Sequence, residues 1–166
     1  MAETIIRYAR SDDLEPLTRL YNYFVENTAI TFDIDPFTPE ERRPWLAQFA
    51  ETGPYRLLVA EREGEIAGYA SATRHRAKPA YNTSIETTVY LDPQLPRQGL
   101  GRKLYERLFS VLEGEDVHCA YAGISLPNEA SVAFHRAMGF TEIGTFHEVG
   151  RKFGRFYDTM WFEKRL

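Results

Sequence analysis

Apolar residues in the first third of the chain recur at the spacing of amphipathic helices. Residues 5–9 predict a short strand, and Asp12 and Asp13 supply the negative charge that favours the start of a helix. A helix ending near Asn27 is predicted by apolar residues three or four positions apart: Leu14, Leu17, Leu20, Tyr21 and Phe24. Prolines then predict a loop from 28 to 39, and a second helix is predicted over residues 40–50.

The spacing changes to the alternation of strands after residue 56. Residues 57–61 and 66–73 predict a hairpin, because a polar, glycine-containing turn separates them. Residues 85–91 predict another strand, with apolar and polar side chains on opposite faces. A glycine-containing loop at 96–101 leads into a predicted helix with leucines at four-residue intervals.

The last third of the chain completes the pattern. Residues 118–124 predict a strand, residues 128–138 a helix that a glycine terminates, and residues 141–147 and 155–162 two closing strands. The order β-α-α-β-β-β-α-β-α-β-β predicts an α/β fold with a central mixed, mostly antiparallel sheet flanked by helices. No repeat or linker interrupts the sequence, so we expect one domain over residues 1–166.

Composition and charge narrow the possible functions before any motif is considered. The 166 residues are 43% hydrophobic and 27% charged, which is typical of a folded globular domain. The formal net charge of -4 argues against a nucleic-acid partner, and no apolar run approaches the roughly 20 residues that span a bilayer. No signal-peptide pattern, disulfide pair or metal-ligand spacing is visible, so we expect a cytoplasmic protein without a metal or a membrane partner.

The loop before the third predicted helix has the composition of an anion-binding loop. Gly99 and Gly101 allow a ligand to approach the backbone, and the unpaired N–H groups of a first helical turn favour an anion such as a pyrophosphate. Arg97 and Arg102 add positive charge. A tight strand-to-helix turn with surface arginines explains the same residues, so this loop alone leaves both interpretations open. The Gly-Lys-Ser/Thr of a P-loop and the third glycine of a dinucleotide fingerprint are missing.

A second motif lies downstream of this loop. Residues 128–131 read Asn-Glu-Ala-Ser and residues 134–140 read Phe-His-Arg-Ala-Met-Gly-Phe, at the distance from the glycine loop seen in GNAT acetyltransferases. The chain resembles that superfamily and, more narrowly, phosphinothricin N-acetyltransferases and their methionine-sulfoximine-acetylating relatives. The resemblance covers nearly the whole chain, and residues 76–81, 86–91 and 126–131 carry its most specific part.

The resemblance implies the GNAT fold and acetyl-CoA as co-substrate, without a metal. It implies that loop amides hold the pyrophosphate and that Asn128 contacts the pantetheine arm. Backbone N–H groups in the strand before the loop, freed by a bulge, would face the carbonyl oxygen of the thioester. The residues predicted to bind the cofactor are Val89, Tyr90, Leu91, Arg97, Gln98, Gly99, Leu100, Gly101, Arg102, Asn128 and Ser131.

Two side chains are candidates for the proton transfers of amine acetylation. An amine with a pKa of about 10 must lose a proton before it attacks a thioester. Glu86, on the face of its strand opposite Ile85 and Thr87, is the predicted base, directly or through a water; a solvated surface glutamate is the alternative. His135 stands where many GNAT enzymes carry a tyrosine that protonates the departing thiolate; a histidine hydrogen-bonded beneath the sheet is the alternative.

The acceptor site is predicted between the third and fourth strands, where the resemblance places the substrate. A basic and aromatic cluster there would pair with a carboxylate, phosphinate or sulfoximine group. The predicted substrate-binding residues are Phe32, His75, Arg76, Lys78 and Tyr81. A solvated basic loop with anchoring aromatic residues is the alternative.

Two residues depart from the patterns of the family. Pro96 stands where the superfamily has Gln or Arg, which removes one N–H from the loop, and His75 stands where the phosphinothricin branch has tryptophan. We expect acetylation of the amino group of a small amino-acid-like substrate, by a homodimer whose site lies near residues 152–155. Two alternatives stay open: acetylation of a peptide, a protein amine or a polyamine, and acyl-CoA sensing without turnover.

Overall fold

The computed structural model describes residues 3–95 and 98–166 and contains a seven-stranded sheet with helices on both faces. The strands are β1 (Thr4–Tyr8), β2 (Arg56–Arg62), β3 (Glu65–Arg74), β4 (Ser84–Leu91), β5 (Cys119–Ser125), β6 (Thr141–Lys152) and β7 (Arg155–Arg165). The helices are α1 (Leu14–Asn27), α2 (Pro39–Ala47), α3 (Leu100–Leu112) and α4 (Glu129–Ala137). This order confirms the predicted succession of elements and the α/β fold class.

Side chains of the central strands alternate between two apolar layers. Leu57 and Val59 of β2 pack with the apolar face of α1 and with partly buried residues of α2. Leu58 and Ala60, their neighbours along the strand, pack with α3 on the opposite face of the sheet. Because both faces of β2 are buried, its near-continuous apolar sequence is explained by the helix on each side.

The strand order is β1-β2-β3-β4-β5-β7-β6, and every pairing is antiparallel except that of β4 with β5. The parallel pairing joins only residues 84–86 of β4 to residues 119–121 of β5. Beyond it, β4 continues along β3 as far as Leu91, while β5 continues along β7 as far as Ser125. The two central strands therefore part and leave a gap in the sheet after Glu86.

Element boundaries differ from the prediction in the second helix and in the last hairpin. Helix α2 begins one residue early, since Pro39 needs no N–H in the first turn and Thr38 accepts a hydrogen bond from the Glu41 N–H at 3.2 Å. It ends at Ala47, where bonds between residues three apart tighten the last turn. Strand β6 runs to Lys152 instead of residue 147, because pairing with β7 resumes at Gly150 after an irregular stretch.

Candidate active site

Three neighbouring cavities lie along the open part of β4. The α3 groove, about 380 Å³, borders the start of α3 and the start of α4. The central cavity, about 450 Å³, lies at the gap between β4 and β5 and shares Ile30 with the α3 groove. The aromatic cavity, about 630 Å³, lies beyond it and shares Glu86, Phe146 and Trp161 with the central cavity. The three cavities thus lie side by side from the start of α3 to Glu86.

The glycine loop borders the α3 groove through Gly99 and the first residues of α3. Gln98 and Gly99 have φ angles of 36° and 71°, and Gly99 is the residue from which α3 starts. This conformation favours glycine and turns consecutive N–H groups in the same direction, which suits an anion. Leu100 is buried in the core and fixes the helix start, while the Gln98 amide oxygen accepts a hydrogen bond from Arg62 at 2.8 Å.

Gly101 has a different reason to be glycine. Its φ is not positive, and an added β-carbon would meet only Phe134 and Leu91 at ordinary contact distances of 3.5–3.6 Å. The fold therefore tolerates a larger residue at this position. Since Gly101 also lines the groove, close approach of a ligand is what a side chain there would obstruct.

The prediction of a bulge in β4 is wrong. The strand has free N–H groups because β5 parts from it. The register of β3 with β4 is continuous from Gly68 paired with Leu91 to Arg74 paired with Ile85. The Asp92 N–H donates to Ala67 at 3.0 Å, so alternation places the Tyr90 N–H in the ladder with β3. By the same alternation the N–H groups of Val89 and Leu91 point toward the gap that β5 has left.

Tyr90 contributes its side chain to the core rather than to the groove chemistry. Its ring lies 5.1–5.5 Å from the rings of Tyr21, Phe24 and Tyr69. Of the three β4 residues predicted to bind the cofactor, Val89 and Leu91 present free backbone donors and Tyr90 supports them from beneath.

The start of α4 closes the other side of the α3 groove. Asn128 caps the helix, and its side-chain oxygen accepts a hydrogen bond from the Ser131 N–H at 3.2 Å. Both residues line the groove. The cap uses the oxygen of the Asn128 amide, so the amide nitrogen is the part that is left to donate to a ligand.

Of the two arginines predicted to add positive charge to the loop, only Arg102 lies in the described residues. Arg102 is exposed, lines the groove, and lies 3.6 Å from Glu106 one turn along α3. The predictions for Pro96 and Arg97 fall outside the described residues.

Glu86 lies where the central and aromatic cavities meet. Its side chain is 31% exposed, while the neighbours Ile85 and Thr87 are buried on the opposite face of β4, as the alternation predicts. Burial raises the pKa of Glu86, and the positive charge of Arg76 opposes that rise. A half-buried carboxylate with a raised pKa, facing two cavities, is suited to accept a proton.

His135 occupies a buried position that does not suit a thiolate acid. Its Nε2 lies 3.1 Å from the Tyr105 hydroxyl and its Nδ1 lies 2.8 Å from the Ser131 carbonyl, so both ring nitrogens have partners. Burial lowers its pKa, because the charged ring is disfavoured away from water, and the hydrogen bond to the Ser131 backbone opposes this shift. Within the described residues it lines none of the three cavities. These contacts are those of the alternative, a histidine hydrogen-bonded beneath the sheet, and the role of thiolate acid stays a prediction.

Phe32 reaches the central cavity from the loop after α1. The loop is held by Lys152, whose buried ammonium group donates to the Thr31 carbonyl at 3.0 Å. A β-carbon at Gly150 would overlap the Phe32 ring, so glycine there lets the β6–β7 hairpin pack against the loop. The end of β6, next to the turn around residues 152–155, therefore holds the loop that carries Phe32, and it does so from within the same chain.

The remaining predicted substrate-binding residues separate into two groups. His75 and Arg76 line the aromatic cavity, and Tyr81 contacts them from outside, 5.9 Å from the His75 ring and 5.7 Å from the Arg76 guanidinium. Lys78 is exposed and, among the described residues, lines neither of the cavities that meet at Glu86. The structure thus brings Arg76, but not Lys78, to the site.

Sequence reasoning missed the far wall of the aromatic cavity. Tyr121 of β5, Phe146 of β6 and Trp161 of β7 line it together with Glu86. These residues are 35 or more positions from Glu86 in the chain, and no local motif marks them. Alternation within a strand shows which residues share a face with Tyr121, Phe146 or Trp161. Only the strand order shows that these faces lie next to Glu86.

Two kinds of feature are not found in the described residues. Within residues 3–95 and 98–166 no group of three or more His, Cys, Asp or Glu side chains is arranged to hold a metal ion. In the same ranges, no helix combines the length and the apolarity needed to cross a bilayer.

Comparison with protein families and curated relatives gives a consistent result. The model of the acetyltransferase (GNAT) domain matches residues 6–161. A phosphinothricin N-acetyltransferase from Streptomyces coelicolor is 55% identical, over 99% of this chain and 98% of the relative. An L-methionine sulfoximine/L-methionine sulfone acetyltransferase from Salmonella typhimurium is 34% identical, over 97% of this chain and 94% of the relative.

Solved structures show the same similarity. A ribosomal-protein-alanine N-acetyltransferase from Brucella melitensis superposes with a TM-score of 0.92 and 38% identity, over 98% of this chain and 99% of the other. A phosphinothricin acetyltransferase from Sinorhizobium meliloti, solved in complex with AcCoA, superposes with a TM-score of 0.91 and 29% identity, over 98% and 88%.

Proposed function

The chain belongs to the GNAT acetyltransferase family, and from that premise we propose that it acetylates the amino group of a small, anionic, amino-acid-like molecule. The acceptor class is that of phosphinothricin, methionine sulfoximine and methionine sulfone, and acetyl-CoA is the co-substrate. The observation that carries the proposal is the position of Glu86, between a cavity that adjoins the α3 groove and a cavity that contains Arg76.

The α3 groove fits the phosphate and pantetheine parts of acetyl-CoA. The N–H groups after Gln98 and Gly99 would hold the pyrophosphate, and Gly101 leaves room for it to approach the helix. The free amide nitrogen of Asn128 would donate to the pantetheine arm. Bound acetyl-CoA supplies a thioester, whose carbonyl is open to attack by a neutral amine.

Glu86 acts as the base that prepares the amine. The acceptor arrives as an ammonium ion, because its pKa lies above neutral pH, and Glu86 takes its proton directly or through a water. The free N–H groups of Val89 and Leu91 stabilise negative charge on the carbonyl oxygen as the amine attacks. The C–S bond then breaks, and CoA leaves as a thiolate, which is stable enough near neutral pH to depart without a protein acid because the pKa of a thiol is about 8.5. Since direct attack needs no protein nucleophile, Cys119 stays a buried core residue.

Arg76 selects for an anionic acceptor. Its exposed guanidinium lines the same cavity as Glu86, so an acceptor whose carboxylate pairs with Arg76 can present its amine to the base. The aromatic rings of Tyr121 and Trp161 would contact the aliphatic part of such a molecule. A polyamine, which has only cationic groups, gains nothing from Arg76.

We expect Arg76→Ala to raise KM for an anionic acceptor about tenfold, which corresponds to the loss of one exposed, charge-assisted hydrogen bond. The measurement is steady-state kinetics at saturating acetyl-CoA. Lys78→Ala is the matched control, because Lys78 is a cation of the same segment that lies outside both cavities, and its KM should stay unchanged. Equal losses in the two variants would contradict a specific role for Arg76.

A protein N-terminus is the second candidate acceptor. The similarity to the Brucella melitensis ribosomal-protein-alanine acetyltransferase favours it. Arg76 at the cavity that contains Glu86 favours the small molecule, since it can pair with the carboxylate of a free amino acid, which the first residue of a peptide lacks. The two candidates differ in acceptor only and share the roles of Glu86 and of the α3 groove.

The active form is a homodimer in this proposal. Strand β6 lies at the edge of the sheet, and five apolar side chains of the last hairpin are each more than half exposed: Ile143, Phe146, Val149, Phe153 and Phe156. Ile143 and Phe146 also line the aromatic cavity, so a partner seated on this face would cover the acceptor site. Light scattering should give about twice the chain mass of 19.2 kDa, and a monomer would contradict the proposal.

A cytoplasmic location completes the proposal. Its support is the need for acetyl-CoA as co-substrate and the presence of a single, buried and unpaired cysteine, which suits a reducing compartment.

A further inference from the structure

The His75 ring is held rigidly beside Glu86. It stacks on Tyr121 with ring centroids 4.5 Å apart and planes at 21°, and Tyr81 and Trp161 contact its edges. The side chain is only 13% exposed. A stacked and edge-packed imidazole cannot rotate freely, so the direction of its Nδ1 is set by the fold.

One nitrogen of this ring lacks an ordinary partner. Nδ1 is buried and makes no standard hydrogen bond within the described residues, and the polar atom that faces it is Glu86 Oε1, 3.6 Å away. A buried polar nitrogen without a partner is unfavourable. The separation exceeds a normal hydrogen bond slightly, as is common for catalytic groups before a substrate binds.

We propose that His75 is a positioning residue for Glu86: its Nδ1–H faces Oε1, holds the carboxylate toward the acceptor cavity and stabilises its ionised form. The inference rests on the proposed function, in which Glu86 is the base. It assigns His75 a role through Glu86, in place of the substrate contact expected from sequence. The stacked ring also serves as a wall of the aromatic cavity, which is compatible with this role.

Burial and the charge of Arg76 favour a neutral imidazole, and the same charge favours the ionised form of Glu86 against the effect of burial. Burial, together with the positive charge of Arg76, lowers the pKa of His75. The same Arg76 charge opposes the rise in the pKa of Glu86 that burial causes. The other titratable groups packed against the ring are the hydroxyls of Tyr121 from β5 and Tyr81, while β7 contributes the neutral Trp161.

The test compares variants that keep or remove a donor at the Nδ1 position. His75→Phe keeps a ring that can stack on Tyr121 but removes the donor, and His75→Asn places an amide nitrogen close to the position of Nδ1. A lost donor destabilises ionised Glu86, so its pKa rises and the acidic limb of the pH profile of kcat moves to higher pH. We expect a shift of about one pH unit in His75→Phe and a profile close to wild type in His75→Asn.

A shift of equal size in both variants, or none in His75→Phe, would overturn the inference. A second readout needs no acceptor substrate. In ¹⁵N NMR spectra of the four histidines, the signals absent from His75→Asn identify His75, and we expect its neutral ring to carry the proton on Nδ1. A proton on Nε2 would refute the pairing. If the wild type acetylates no acceptor at all, the proposed function fails, and the NMR result still decides whether the His75–Glu86 pair exists.

Discussion

Glu86→Gln is expected to lower kcat for acetyl transfer about a hundredfold or more, the usual contribution of a positioned general base. Glutamine has almost the same shape as glutamate, so the walls of the two cavities that meet at this residue should stay in place. Its amide cannot accept the proton of an ammonium group, and only the small neutral fraction of the amine would react. The loss should grow as the pH falls, because that fraction falls with it.

Two quantities serve as controls for Glu86→Gln: the free energy of unfolding and the Kd for acetyl-CoA. Burial raises the pKa of Glu86, so replacing a half-buried carboxylate by a neutral amide should leave the free energy of unfolding unchanged or slightly higher. The Kd for acetyl-CoA should also stay unchanged, since Glu86 does not line the groove. Glu65→Gln, at the exposed start of β3, should behave as wild type. Wild-type rates in Glu86→Gln would remove this residue from the mechanism.

His135→Ala is expected to lower the free energy of unfolding by about 3 kcal/mol, while kcat changes less than about threefold. The substitution leaves a cavity in the core and removes partners from the Tyr105 hydroxyl and the Ser131 carbonyl. Urea denaturation measures the first quantity and steady-state kinetics the second. Tyr105→Phe removes one of the two hydrogen bonds without a large cavity, so its loss should be about 1 kcal/mol. If His135 were a catalytic acid, His135→Ala would instead lower kcat and leave the free energy of unfolding unchanged.

The burial of His135 should also be visible in how the free energy of unfolding depends on pH. Its pKa in the folded protein is lower than 6.5, the ordinary value that applies in the unfolded chain. As the pH falls below 6.5, the unfolded chain therefore binds a proton that the folded protein does not, and stability is lost until the lower folded pKa is reached. His135→Ala should flatten the unfolding free energy in this window relative to wild type.

The sequence predicts the elements of the fold well because each rests on a local pattern. Leu17, Leu20 and Phe24 repeat at helical spacing and are buried, and the alternation around Glu86 correctly separates its face from that of Ile85. Local periodicity does not show where two strands part. The gap after Glu86 depends on β4 following β3 while β5 follows β7, a relation among four strands that no segment encodes alone.

The role of a side chain is harder to predict from sequence than its place in a strand or helix. His135 fits a family motif, yet its role depends on Tyr105, 30 residues away in α3, and on the depth of the core around it. The sequence predicts His75 at the acceptor site, but its stack on Tyr121 and its approach to Glu86 are tertiary contacts that no local pattern shows. Trp161 carries no local signal and reaches the site only because β7 pairs with β5.

The most direct test of the central claim is the release of CoA thiol from acetyl-CoA across a panel of acceptors. The panel contains phosphinothricin, methionine sulfoximine, methionine sulfone, common amino acids, a polyamine and a peptide with an N-terminal alanine. We predict that kcat/KM for the first three exceeds that for the peptide and the polyamine by about a hundredfold, since only the former pair with Arg76 inside the aromatic cavity. Turnover confined to the peptide or the polyamine, or binding of acetyl-CoA with no turnover of any acceptor, would contradict the account.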